Sequence, residues 1–241
     1  VGSGGMATVE LVLDRALERR MVRKCIHDHL ATDASSLAMF VREAQITGQL
    51  EHPHIAPVHE LGIDPKTDGL FFTMRLVEGR TFSDVIRELP PDPLPRDRLL
   101  DVLDVVIKVC DTLAFAHSRG VVHCDVKPAN VMVGDFGQVY LMDWGIARRI
   151  GDAHASDAAR EGTPVRSDGG SVIGTATHMA PEQARGSDAL DERTDVFAVG
   201  ALLYHALARS APFAAESFWA AIVRAQSTAY SPLSVAAPHT P

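Results

Sequence analysis

The sequence has only three cysteines, Cys25, Cys110 and Cys124, far apart and without a CxxC pair. An odd number at such spacing supports neither a disulfide framework nor a zinc site, so a reducing compartment is the default reading. A basic excess is also missing: 23 lysines and arginines face 31 aspartates and glutamates, for a net charge of −8. That argues against a nucleic-acid platform and against a membrane-surface binder, both of which need basic faces. No apolar run reaches the ~18 residues of a membrane span, no signal peptide is recognisable, and no internal repeat is visible. What is present is 241 residues with 46% apolar content, enough for one sizeable core or two small lobes sharing a cleft.

The first residues, Val1-Gly2-Ser3-Gly4, fall inside what reads as a functional loop, and 231–241 is a Pro/Ala/Ser stretch without periodicity. Both ends read as cuts through a larger protein. Residues 8–13 and 20–26 are strand-like, 35–50 has helical spacing, and 55–61 and 70–77 read as strands joined by a turn over 64–69. A small, mostly β lobe with one helix is expected over 1–78. From 79 the pattern turns helical. After a proline-rich loop at 90–95, with Asp97 as candidate cap, Leu99, Leu100, Leu103, Val106, Ile107, Cys110, Leu113, Ala114 and His117 recur at three- and four-residue steps. They predict a long buried helix closed by Gly120. A strand is expected at 138–142, a mobile surface segment at 151–170, a core helix at 196–207 and an amphipathic one at 217–224. The fold class predicted is α+β and bilobal, with a larger, mainly helical second lobe over 79–241.

The glycines of Gly2-Ser3-Gly4-Gly5-Met6-Ala7-Thr8-Val9 let a backbone approach a polyphosphate and present N–H donors to it. Alone this is weak, because a glycine-rich turn between strands is more often a plain hairpin. Lys24 ends the next strand, where it could reach back to phosphates, and Glu43 on the following helix is a candidate partner. Each taken singly is an ordinary surface charge. The order of the next motif decides the matter: His123-Cys124-Asp125-Val126-Lys127-Pro128-Ala129-Asn130, then, after a strand, Asp143-Trp144-Gly145. Phosphoryl transfer needs a carboxylate to orient and deprotonate a hydroxyl, oxygen ligands for a divalent cation and a cation near the moving phosphate. Two aspartates and an asparagine are hard oxygen donors that suit Mg²⁺ and not zinc.

These motifs resemble, over nearly all 241 residues and in order, the protein kinase family. Residues 2–9 match its nucleotide loop, 21–24 its V-A-I-K strand, 123–130 its H-R-D-L-K-x-x-N loop and 143–145 its D-F-G turn. Ala180-Pro181-Glu182 matches A-P-E, and the forms around the loops look like bacterial members of the serine/threonine branch. The resemblance implies that ATP and Mg²⁺ are used and that Ser/Thr hydroxyls of proteins are the substrates. It implies that Lys24 holds the α- and β-phosphates and pairs with Glu43, that Asp125 is the base, and that Lys127 stabilises the moving group. Asn130 and Asp143 would hold Mg²⁺, and Thr175 would hydrogen-bond Asp125 and Lys127. Gly2, Ser3, Gly4 and Gly5 would cover the phosphates; Val9, Val22 and Met132 would sandwich adenine. Met74 takes the gatekeeper position, with the Arg75 and Val77 backbones as adenine partners. No nucleic acid and no membrane contact are expected within the segment. The resemblance allows dimerisation for autophosphorylation and a cytoplasmic setting, free or as part of a membrane-anchored receptor kinase.

The chain also departs from the pattern. Cys124 replaces the arginine that in the family pairs with a phosphate on the activation segment; a thiol cannot form that charge-assisted pair, so gating through this contact is not expected. Trp144 replaces phenylalanine, Val22 narrows the adenine pocket and Ala7 stiffens the loop. The family adds two further helices, one with an arginine that pairs with the glutamate matching Glu182, so Glu182 is expected to be buried and unpaired, at a cost to stability. The alternative is a pseudokinase or ATP-binding scaffold, whose usual mark is loss of the lysine, base or metal aspartate; all are present here.

Overall fold

The computed structural model describes residues 2–3, 5–90, 93–150, 176–187 and 189–240. Gly4, Thr175 and the segment expected at 151–170 lie outside the described residues. The first part is a five-stranded antiparallel sheet in the order β1-β2-β3-β5-β4, made of β1 (Gly2–Ser3), β2 (Ala7–Asp14), β3 (Arg19–Ile26), β4 (Val58–Ile63) and β5 (Leu70–Arg75). The turn between β4 and β5 is built as its sequence suggests: the Asp64 carboxylate accepts from the Lys66 N–H at 2.8 Å, and Asp64 N–H donates to the Gly69 carbonyl. Helix α1 (Ala34–Gln49) starts on Asp33, whose carboxylate accepts from the Ser36 N–H at 2.7 Å. Its Phe40 meets Phe72 of the sheet with ring centroids 5.1 Å apart, and Ala7, Ile26 and Ala44 complete this small core. The other end of α1 belongs elsewhere. Ile46 and Leu50, with Ile55 beyond the helix, pack into the larger core below, so α1 is held by both halves of the molecule.

The second part contains β6 (Arg80–Thr81), α2 (Phe82–Glu88), α3 (Arg96–Ser118), β7 (Val121–Val122), β8 (Val131–Val133), β9 (Val139–Leu141), β10 (Arg148–Arg149), α4 (Pro181–Ala184), α5 (Glu192–Ala208), α6 (Phe218–Ser227) and α7 (Leu233–Ala236). Two small sheets, β6-β8-β9 and β10-β7, frame the loops between α3 and α4. Helix α3 corrects the expected face. Its buried stripe is Val102, Val105, Val106, Val109, Thr112, Leu113 and Ala116, while Leu100, Ile107, Cys110 and Ala114 are exposed. The helix carries more apolar residues than one face can hold, so two overlapping stripes satisfy the same spacing. Asp97 is likewise not the cap: Pro95 takes that place and Asp97 sits in the first turn, favourable to the helix dipole. Gly120 closes the helix at φ +71, as expected. In α5, Val196 is exposed and the buried face runs from Thr194 and Asp195 through Ala198, Ala201 and Leu202 to Ala206 and Leu207.

Gly79 links the two parts at φ +147, and a Cβ there would collide with the Val133 carbonyl. Gly79→Ala is therefore expected to lower stability by about 1–3 kcal/mol. Thermal melting checks this, and an unchanged melting temperature would show that the link relaxes freely.

Candidate active site

The strand register explains the upper wall. Val9 lies opposite Lys24, and Lys24 opposite Phe72; one row along, Val22 lies opposite Met74. Because side chains alternate, Val9, Val22, Lys24 and Met74 share one face of the sheet. Gly2 and Ser3 pair with Val9 and Thr8, and the exposed Gly5 lies between those strands. From α1, Glu43 reaches up to that face, and its Oε1 accepts from Lys24 Nζ at 2.6 Å. Burial pushes the Glu43 carboxyl up from its ordinary range, against the opposing pull of Lys24 and with a further push from the charge of Asp143. Gly145 makes this closeness feasible: a Cβ there would lie 3.3 Å from both Asp143 Oδ1 and Glu43 Oε2. Glu43, Met74, Asp143 and Trp144 also line one small cavity behind the cleft. The Arg75 N–H is committed to the Pro57 carbonyl at 3.0 Å and so is not available to a ligand. Val77, half-buried, lies on the link after β5, and Met132 lies on β8 opposite Tyr140.

The lower wall is the loop from His123 to Asn130. Cys124 sits in the left-handed region at φ +66, and so does Asp143 at φ +65, a conformation that non-glycine residues adopt only when held there. The fully buried Asp195 of α5 holds the first: its Oδ2 accepts from the His123 N–H and its Oδ1 from the Cys124 N–H, at 2.8 and 2.9 Å. His117 Nε2 adds a third bond at 2.8 Å. The His123 ring lies between two fixed partners. Its Nδ1 accepts from the Asp125 N–H at 3.1 Å, so Nε2 carries the proton it donates to the Met142 carbonyl at 3.1 Å. Trp144 packs on that ring at 4.5 Å and donates its indole N–H to the Leu141 carbonyl; the replacement of phenylalanine is absorbed by a buried site.

Asp125 is thereby aimed into the cleft. Its Oδ2 accepts from Lys127 Nζ at 2.7 Å and from Asn130 Nδ2 at 2.9 Å, and Asn130 also donates to the Asp125 backbone carbonyl at 2.8 Å. Burial raises the Asp125 carboxyl above its ordinary range, with Lys127 pulling the other way. With Nδ2 engaged, Asn130 turns its carbonyl oxygen outward, and the exposed Asp143 carboxylate has no hydrogen-bond or ion-pair partner among the described residues. Two such hard oxygens fit Mg²⁺, which is held by one or two protein oxygens together with substrate phosphates. The described residues hold no cluster of three His, Cys, Asp or Glu ligands. A second, literal Asp-Phe-Gly run at 135–137 is no part of the site: it makes the exposed turn between β8 and β9, with Phe136 in solvent.

Two further residues shape the site without a sequence signal of their own. Asp195 and Gln183 bond to backbone atoms, which leave no complementary residue to look for. Glu182 is not an unpaired buried carboxylate: it is half-buried and its Oε1 accepts from the Thr194 hydroxyl at 2.8 Å. Among the described residues no helix is long and apolar enough to cross a membrane.

A lysine–glutamate pair above, an Asp-Lys-Asn loop below and the aspartate of the Asp-Trp-Gly turn between them define a phosphotransferase cleft between two lobes. The chain belongs to the protein kinase family: the protein kinase domain model matches residues 1–237. It is similar to a probable serine/threonine-protein kinase of Corynebacterium efficiens, 37% identical over 220 residues that cover 90% of this chain and 31% of the relative. Serine/threonine-protein kinase PknB of Mycobacterium leprae is 37% identical over 219 residues, 90% of this chain and 33% of the relative. PknD of Protochlamydia amoebophila is 34% identical over 226 residues, 88% of this chain and 23% of the relative. The domain is thus of the bacterial serine/threonine type, and it spans about a quarter to a third of the length of these curated relatives.

Proposed function

We propose that this domain transfers the γ-phosphate of ATP to serine and threonine hydroxyls of proteins, with Mg²⁺, and that its activity is not gated by an arginine reading an activation-loop phosphate. The observation that carries the first part is the Asp125 carboxylate. Lys127 and Asn130 hold one of its oxygens, and the other has no partner among the described residues, so it can accept a hydroxyl proton. In this reading Lys24, fixed by Glu43, holds the α- and β-phosphates under the loop of Gly2, Ser3, Gly4 and Gly5. Val9, Val22 and Met132 enclose adenine, Met74 is the gatekeeper, and the Arg75 carbonyl and Val77 backbone meet the base's edge. Asn130 and Asp143 hold Mg²⁺, which neutralises phosphate charge when bound. Lys127 stabilises the moving group and Thr175 fixes Lys127 and Asp125. The lobes divide at 78/79. The same reading sets the domain in the cytoplasm, free or as part of an anchored receptor kinase, and extends to phosphorylation of a second copy of the chain.

Support for the second part comes from Cys124. Its thiol is 7% exposed and lies 3.7 Å from the Val122 carbonyl; burial, ahead of the nearby Asp195 charge, pushes it up to about 12. It stays neutral and turned inward. Two measurements test the proposal. Transfer of labelled γ-phosphate to a generic basic protein should occur with Mg²⁺ and vanish with EDTA; ATP binding without transfer would favour a scaffold. Replacing Thr163, Ser167 and Ser171 together with alanine should leave kcat within about a hundredfold of the wild type, whereas a larger fall would restore phosphate gating.

A further inference from the structure

Cys124 stands between two clamped peptide units. The unit before it is gripped by Asp195 through the Cys124 N–H. In the unit after it, the Asp125 N–H is held by His123 Nδ1, and the Cys124 carbonyl accepts from Gln183 Nε2 at 2.8 Å. Gln183 lies in α4, directly after Ala180-Pro181-Glu182, and its Oε1 accepts from the Ala180 N–H at 3.2 Å. The two bonds fix its amide orientation, since one partner is a donor and the other an acceptor. One side chain thus ties the turn at the end of the activation segment to the strained residue beside Asp125. A left-handed non-glycine residue costs on the order of 1 kcal/mol and persists only when over-determined by its surroundings. If the Cys124 carbonyl is released, that peptide plane can rotate, and the Asp125 Cα–Cβ direction turns with it.

We infer that Gln183 is a positioning residue for phosphoryl transfer, which couples the Ala-Pro-Glu turn to the catalytic loop through the Cys124 carbonyl, where no arginine–phosphate pair can do so. This rests on the reading of Asp125 as the base. It assigns the Cys124 backbone a role that its side chain does not fill. The decisive variant is Gln183→Glu: it keeps an acceptor for the Ala180 N–H, as in an ordinary capping box, and replaces only the donor aimed at Cys124. In Gln183→Glu, kcat is expected to fall roughly tenfold or more with KM for ATP unchanged, the scale of one buried bond lost and its acceptor left facing an anion.

A readout independent of turnover is alkylation of Cys124 by iodoacetamide, located by peptide mapping with Cys25 and Cys110 as internal references. The buried thiol should react slowly in the wild type and roughly tenfold faster in Gln183→Glu, as local opening becomes easier. Unchanged Cys124 labelling in Gln183→Glu overturns the inference, and so does a kcat within twofold of the wild type. A matching rise in KM for ATP overturns it too, because it places Gln183 in nucleotide binding. A wild type that transfers no phosphate sinks the kinase reading alone; the labelling comparison then still decides whether Gln183 holds the loop.

Discussion

Replacing Asp125 with asparagine is expected to cut phosphate transfer to a small residual rate and to leave the protein at least as stable at neutral pH. The amide has the same shape and can stay beside Lys127 and Asn130, yet it cannot take a proton, so kcat should fall by about 10²–10⁴-fold. The stability expectation follows from the direction of the pKa shift. Burial raises the Asp125 carboxyl above its unfolded value despite Lys127. A group raised in the folded state contributes stability that is present below its unfolded pKa and is lost as pH rises through its folded pKa. Above its folded pKa the Asp125 carboxyl no longer contributes that stability, and the uncharged amide has no ionised form to bury. The same shift sets the pH profile. Below the folded pKa the base carries a proton and the rate falls, so the acid limb of kcat/KM should lie above the ordinary aspartate range of about 3.9. The residual rate of Asp125→Asn should show no such limb. Phosphate transfer against pH, with thermal melting of both proteins, checks all of this. An acid limb retained in the variant would move the base elsewhere.

What the sequence made legible was local or ordered. The strands and the turn over 7–75 lie close to their expected boundaries because each is decided by a few adjacent residues, as with Asp64 and Gly69 in the turn. The catalytic loop was legible because its donors and acceptors lie within eight residues, and Asp143 because it follows one short strand. The face of α3 was not, since an apolar surplus leaves its phase undetermined until α5 and the small sheets choose a side. Asp195 and Gln183 were not legible for another reason. Asp195 contacts N–H groups 71 and 72 residues away, and Gln183 a carbonyl 59 residues away. A bond to a backbone group puts no requirement on the residue that carries it, so the distant partner leaves no trace in the sequence. Glu182 shows the converse error. By the family pattern Glu182 is expected to stand buried and unpaired, while a threonine twelve residues on supplies it with a donor.

Asp195→Ala should have the opposite signature to Asp125→Asn: a large loss of stability that carries activity down with it. The carboxylate is fully buried, and its three donors are two backbone N–H groups and His117 Nε2. Alanine leaves both N–H groups buried without an acceptor and removes what holds Cys124 in the left-handed region. Each orphaned donor costs about 1–3 kcal/mol. For two such donors, partly offset by the released strain, a loss of about 3–5 kcal/mol is expected, a large part of the 5–15 kcal/mol typical of a domain. Asn is no remedy. The Cys124 N–H needs one oxygen, and the His123 N–H and His117 share the other, so an amide NH₂ would face a donor whichever way it turned. Asp195→Asn is expected to recover less than half of the loss. Denaturant unfolding with an unchanged m-value measures it. A loss below about 1 kcal/mol for alanine would mean that the loop holds its shape without α5. The two aspartates would then not be divided, as the geometry divides them, into one that reacts and one that stabilises in order to aim it.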